Sequence, residues 1–396
     1  MAHASVDEHA AYIRSLVRLP TTSEKVLLGV ALDRTTAVAV YSPVDLPLFR
    51  NSQMDGFAVR AADLGDADTT LPIVGEVAAR PGTPPPLEPG TTMRIMTGAV
   101  VPEGADAVVP VEDTTSVDDT VTIHRPRASG EFVRERGSDV RQDDELLPAG
   151  LRLGSRHLAV LAAAGIASVD VRTRVRVVII TTGAELVLPS AHGTIEMGQV
   201  YDSNAVALDA AARACGADVR YAIHNNNDDV ERLSAVMLVA EDDADIILTS
   251  GGISMGEHEV VRDFLEQRGG RIGHVAMQPG GPQATGSIGG VPIISFPGNP
   301  VSTQISFEVF VAPLLREAAG LPPARRVPRV LTSDARSIAG KRQFLRGRTV
   351  EGGRVELVAG PGSHLVASLA ASDVLIDVPE GTTDLKAGDT VETIEL

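Results

Sequence analysis

Asp245-Ile246-Ile247-Leu248-Thr249-Ser250-Gly251-Gly252-Ile253-Ser254-Met255-Gly256-Glu257 is an apolar run that breaks into glycines and hydroxyls. The run predicts a buried strand, and a helix restarting near His258 and ending at Gln267 completes a strand–loop–helix unit. Glycine lets backbone N–H groups approach a ligand closely, and a helix N-terminus is electropositive. The loop therefore suits a phosphate or another oxyanion. A second run, Val291-Pro292-Ile293-Ile294-Ser295-Phe296, leads through Pro297-Gly298-Asn299-Pro300 into a helix from Val301. Two strands bringing small-residue loops to one sheet edge predict a ligand crevice at their carboxyl ends.

Outward from these runs the chain alternates. Strands are expected at 175–180, 218–223 and 245–248, and helices at 204–215, 230–240 and 258–267, which predicts a doubly wound, mainly parallel α/β sheet. Upstream, eight prolines between Leu71 and Pro110, with short alternating runs such as Ala107-Val108-Val109-Pro110-Val111, predict a small β domain. Downstream of Leu321-Pro322-Pro323, short strands with glycine turns predict a separate C-terminal β domain. From Ser23 to Arg34 the pattern Val26-Leu27-Leu28-Val30-Ala31-Leu32 reads as a helix. The expected division is an N-terminal and linker domain at 1–49 and 137–172, an inserted β domain at 50–136, an α/β domain at 173–324, and a β domain at 325–396.

Composition narrows the function classes. The 396 residues suffice for several cores, and with 43% apolar residues, no Trp and 3% aromatics those cores must be aliphatic. The net charge of −17 argues against a nucleic-acid or anionic-membrane surface, so an anionic ligand must be held by local groups. The single cysteine, Cys215, excludes an internal disulfide and reads as a buried thiol. No stretch resembles a signal peptide or a membrane span, which gives the expectation of a soluble, cytoplasmic protein with no membrane insertion.

Several polar residues gather around the expected crevice. Thr182-Gly183-Ala184-Glu185 follows the first strand of the α/β domain, and Asp202-Ser203-Asn204 precedes a helix. Ser203 or Asn204 would serve by default as an N-cap, leaving Asp202 as a candidate ligand contact. Surface acids are usually only solvated. Glu185, Asp228, Asp245 and Glu259 near a phosphate cradle are nevertheless what a divalent cation bridging phosphate oxygens requires, Asp245 being the weakest member. In the β domain, Asp55 and Thr97 stand at turns after extended segments. Asp139 lies in Arg134-Glu135-Arg136-Gly137-Ser138-Asp139-Val140-Arg141, a run able to clamp an anion. The histidines show no zinc-ligand spacing.

Taken together, these motifs resemble the MoeA and gephyrin E-domain family of molybdopterin molybdenumtransferases over nearly the whole chain. The resemblance rests on Ser52-Gln53-Met54-Asp55-Gly56-Phe57-Ala58, Arg94-Ile95-Met96-Thr97-Gly98-Ala99, Thr182-Gly183-Ala184-Glu185-Leu186, Asp202-Ser203-Asn204, residues 250–257 and Pro297-Gly298-Asn299-Pro300-Val301-Ser302. It implies an elongated four-domain subunit in a homodimer. It also implies a reaction in which adenylylated molybdopterin and molybdate yield molybdenum cofactor and AMP with Mg²⁺ assistance. By the same resemblance Thr182, Gly183, Asp202, Ser203, Asn204, Ser250, Gly251, Gly252, Ser254, Gly256, Pro297, Gly298, Asn299 and Pro300 bind the pterin substrate. Glu185 and Asp228, with Asp245 and Glu259, serve the metal and adenylate cleavage. Asp55, Thr97 and Asp139 match functional positions that could reach a partner subunit's crevice.

Two departures stand out. The family's Lys-Pro-Gly-Lys-Pro segment appears as Gln278-Pro279-Gly280-Gly281-Pro282, and an acid that is often Asp appears as Glu259. Two lost charge-assisted hydrogen bonds amount to about 3–6 kcal/mol, which Lys341, Arg342 or Arg346, beside Pro282 and Ser363, are expected to offset in binding molybdate. The alternative they raise is a non-catalytic, gephyrin-like dimeric scaffold, holding a peptide of a membrane receptor or of a cytoskeletal or cell-division protein between the α/β and C-terminal domains.

Overall fold

A computed structural model describes residues 4–396 except 67, 190–193, 226–228, 255 and 257–258. The chain forms two units, residues 25–171 and the remainder (1–24 with 172–396).

The larger unit is built on a six-stranded sheet. Its strands are β1 (Arg176–Thr182), β2 (Asp218–Asn225), β3 (Ile246–Ser250), β4 (Arg271–His274), β5 (Pro282–Ile288) and β6 (Val291–Phe296), in the order β2-β1-β3-β6-β5-β4. The first four in that order are parallel, and β5 and β4 close the edge antiparallel. Side chains alternate across the sheet. Val177, Ile179, Ile246, Leu248, Ile294 and Phe296 enter one core, while Val178, Ile180, Ile247 and Ile293 enter the other. Both faces are apolar because both are covered, which explains the continuous apolar runs. Helices Asn204–Ala214, Pro300–Phe310 and Ala312–Ala319 pack on the first face. Val230–Asp243 and Val260–Glu266 pack on the second. The switch of connection direction falls between β1 and β3, where such sheets open a crevice.

Residues 4–24, grouped by sequence with the N-terminal domain, cluster with this unit. Helix Val6–Leu16 opens with a Ser5/Glu8 capping box, and Val6, Ile13 and Val17 join the first core. The expected helix at 23–34 is also corrected. Ser23–Leu27 is a strand and Leu28–Val30 a single 3₁₀ turn, because the run is apolar without helical spacing.

The C-terminal sheet orders Met277–Gln278, Arg342–Val350, Val374–Val378, Thr390–Glu395 and Arg326–Val330, with Arg354–Leu357 paired to Arg342–Val350. Met277–Gln278 immediately precedes β5, so the Gln278–Pro282 segment steps from one sheet to the other. The sheet has a core of its own around Leu345, Val355 and Ile376, yet Phe344, Leu369, Leu375 and Ile394 enter the first α/β core.

In the smaller unit, residues 50–136 carry a six-stranded mixed sheet, Ala107–Pro110, Gly56–Val59, Thr92–Ile95, Thr69–Val77, Thr120–Ile123 and Thr114–Val117 in spatial order, with a core on each face. Helix Ser155–Ala163 packs in a separate core with Ala31, Leu147 and Val171.

His9 is buried edge-on against Phe310, with ring centroids 4.8 Å apart, and its Nε2 has no partner. Burial, reinforced by the charge on Arg271, lowers its pKa to about 4. A depressed histidine pKa means that neutral His9 stabilises the fold fully above pH ~6.5, a contribution lost as pH falls towards 4. Between pH 7 and pH 4 the parent should lose up to about 3 kcal/mol more stability than His9→Leu, read by urea denaturation at each pH. Equal losses would refute this reading.

Candidate active site

At the carboxyl ends of β1, β3 and β6 lies a cavity of about 700 Å³, lined by Thr182, Gly183 and Glu185 after β1, 200–204 before the next helix, 250–254 after β3, Glu259, Pro282, 297–300 after β6, and His364. Residues 250–252 and 297–300 meet within it. A Cβ on Gly298 would sit 3.4 Å from Gly251 Cα. Asn204 Nδ2 donates to Ser250 Oγ at 2.9 Å and to the Gly298 carbonyl at 2.8 Å, tying the two loops together. Thr303 Oγ1 lies 3.1 Å from Ser250 Oγ and donates to the Pro297 carbonyl at 2.6 Å. The backbone requires glycine at 251. Its φ is +93°, and an added Cβ would meet the Thr182 carbonyl oxygen at 2.3 Å.

Thr182 and Asn204 line the cavity, and Thr182 Oγ1 and Asn204 Oδ1 are buried without a partner. Glu185 folds its carboxylate over Gly183, and Glu259 over Gly256, each within 3 Å of where a Cβ would stand. Both acids reach the cavity.

Asp202 is committed elsewhere. Its buried carboxylate accepts from Thr181 Oγ1, from the N–H groups of Asn204 and Ala205 at 3.1 Å, and stands 3.3 Å from His224 Nδ1. The residue capping this helix is therefore Asp202, not Ser203 or Asn204, because an anion satisfies the free N–H groups of a first turn.

Asp245 is not a metal ligand of this pocket. It sits at the amino end of β3, the opposite edge of the sheet, and accepts from the Arg176 backbone and guanidinium. Arg342 also lies outside the lining, because a two-armed contact with buried Asp377 (2.7 Å each) and a bond to Asp7 hold it. The Asp377 contact raises its pKa further. Gly256 is outside the lining, its carbonyl accepting from Arg262. Ser363 is also outside the lining, and its carbonyl accepts from Val301 N–H. Asp228 lies outside the described residues. Among the described residues no three His, Cys, Asp or Glu side chains gather as a metal cage.

Two arginines hold the loops. Arg262 donates to the carbonyls of Ser254 (2.8 Å) and Gly256 (3.0 Å). Arg346, 3% exposed, donates to Gly360 and Gly362, fixing the loop that carries Ser363 and His364. His364 was absent from the sequence reading, and its neighbour Ser363 was the only pointer to it. Gln278 bonds Gln343, and Gly281 leaves ordinary contact distance (3.5 Å) around an added Cβ.

In the smaller unit, Asp55 Oδ1 accepts from Thr97 N–H at 2.7 Å and Thr97 Oγ1 at 2.9 Å. These bonds, the backbone one foremost, hold its carboxyl below the usual range. Asp139 donates its backbone N–H to Leu46.

Comparison with known proteins now decides the family. Residues 4–165 match the MoeA N-terminal region (domain I and II), 178–317 a probable molybdopterin binding domain, and 328–396 the MoeA C-terminal region (domain IV). Molybdopterin molybdenumtransferase 2 of Mycobacterium tuberculosis is 40% identical, covering 99% of both chains. The chain belongs to the MoeA family. Molybdopterin molybdenumtransferase of Haemophilus influenzae is 31% identical over 99% of this chain and 98% of its own. The crystal structure of a MoeA protein from Pyrococcus horikoshii superposes with a TM-score of 0.81 at 30% identity, covering 100% of this chain and 99% of that one. The MoeA fold accordingly joins a doubly wound α/β domain to β domains here as well.

Gly251→Ala should lower stability by about 1–3 kcal/mol through the forced φ alone, with the Thr182 clash adding to it. Gly269→Ala, also at positive φ but in open space, should cost less. Chemical denaturation of both variants checks the order, and equal costs would remove the close-approach argument.

Proposed function

We propose that the protein is a molybdopterin molybdenumtransferase, which takes adenylylated molybdopterin and molybdate, places molybdenum on the dithiolene and releases AMP. The observation that carries this reading is the cross-braced loop pair of Ser250–Gly252 and Pro297–Pro300, walling a cavity of about 700 Å³ at the carboxyl ends of the parallel strands. Relatives matched over their full length carry that enzyme's name. No observation favours the scaffold reading.

The backbone N–H groups of Gly252, Ile253, Ser254, Gly298 and Asn299 would hold the phosphate. The Thr182 hydroxyl and Asn204 Oδ1 orient the ring system by hydrogen bonding in a water-poor wall. Glu185 and Glu259 line the cavity and would supply carboxylates to Mg²⁺, a role also proposed for Asp228. Bound there, Mg²⁺ would neutralise charge developing on the departing adenylate. The reading also includes a cytoplasmic homodimer in which Asp55, Thr97 and Asp139 serve the partner's pocket. Among the described residues no helix is long and apolar enough to cross a membrane.

Purified protein given adenylylated molybdopterin and saturating molybdate should release AMP, and no release would reject the reading. Glu185→Gln should lower kcat by about 100-fold, since it removes charge from the same shape. Mixing Glu185→Gln with Asp55→Asn subunits should restore part of the activity that neither has alone. No restoration would exclude the shared site. Gly281→Lys with Gln278→Lys should tighten molybdate binding by about two to four decades at most.

A further inference from the structure

Resting on the pocket reading above, the geometry points to His364 as the cationic anchor for a tetrahedral oxyanion in this pocket, in the role left open by Gln278 and Gly281. The ligand proposed is strongly anionic, yet the described residues lining the pocket include no Lys or Arg and do include the acids Glu185 and Glu259. His364 is the one lining side chain among them able to carry positive charge. The nearby guanidiniums are occupied with structural work. Arg262 is bound to the carbonyls of Ser254 and Gly256, Arg346 to those of Gly360 and Gly362, and Arg342 to Asp377 and Asp7.

Placement supports the assignment. Arg346 grips the loop from below, and the Ser363 carbonyl accepts from Val301 N–H, so the backbone just before His364 is fastened to the first turn of helix Pro300–Phe310. That turn follows residues 297–299, which line the same cavity. The imidazole is solvent-exposed, packs within about 3.4 Å of the Cβ position of Gly362, and has no hydrogen bond to another described residue. It stands on a fixed base with its donors free. An ionised donor on an oxyanion strengthens binding by about 1.5–3 kcal/mol, which corresponds to about one to two decades of affinity.

The oxyanion could be the molybdate or the adenylate phosphate, and separate titrations distinguish them. AMP and sodium molybdate are titrated calorimetrically into the full-length parent, His364→Ala, His364→Lys, Gly281→Lys and the Gly281→Lys/His364→Ala double variant. We expect His364→Ala to weaken one of the two anions by about 10-fold or more and His364→Lys to restore it. In the Gly281→Lys background the loss from His364→Ala should shrink, because two cations serving one anion are not additive. Parent-like affinity of His364→Ala for both anions overturns the inference and leaves the pocket reading intact. A loss that His364→Lys fails to restore also overturns it, since the effect is then one of shape. If the parent binds neither anion, the pocket reading itself falls and takes this inference with it.

Discussion

The site depends on two strand ends approaching until backbone meets backbone. Gly251 lies against the Thr182 carbonyl on one side and against Gly298 on the other, and no residue with a side chain fits that gap. The approach is possible because β1, β3 and β6 are parallel neighbours that end at the same level. Once the loops touch, the polar network of Asn204, Ser250 and Thr303 satisfies the carbonyls that face inward. A half-satisfied network in that place would be worse than an apolar one. Two atoms are left without a partner, Thr182 Oγ1 and Asn204 Oδ1, on residues that line the cavity.

Charge is arranged with similar economy. In a chain of net charge −17, the arginines close to the pocket are spent on carbonyl groups of its loops rather than on the cavity itself. Arginine suits this work because a planar fork can bridge two carbonyls and stays charged when partly buried. Burial does lower the pKa of Arg346, though from a value far above neutrality. The outcome is a pocket whose rims are braced by arginines and whose described lining carries the acids Glu185 and Glu259 but no Lys or Arg.

The sequence made the central sheet and the pocket loops legible because both obey local rules. Residues 246–248 and 293–294 are apolar without alternation, as strands covered on both faces must be, and small residues follow them directly. Interactions between distant segments were not legible. Val26–Leu32 is apolar enough for a helix, but strand pairing and a 3₁₀ turn took precedence. Asp245 looked like a free acid beside a glycine loop, whereas its partner, Arg176, is reached only by folding. Arg342 looked available until Asp377 was brought opposite it from another strand. His364 carried no motif and joined the site only through the fastening of its loop to helix Pro300–Phe310.

The C-terminal sheet lends Phe344, Leu369, Leu375 and Ile394 to the interior of its neighbour. Cutting the chain near residue 324 would strip these apolar groups away and leave a wet hollow under helices that now look fully covered. The last segment of this enzyme is accordingly no detachable appendage, since part of its neighbour's interior is built from it.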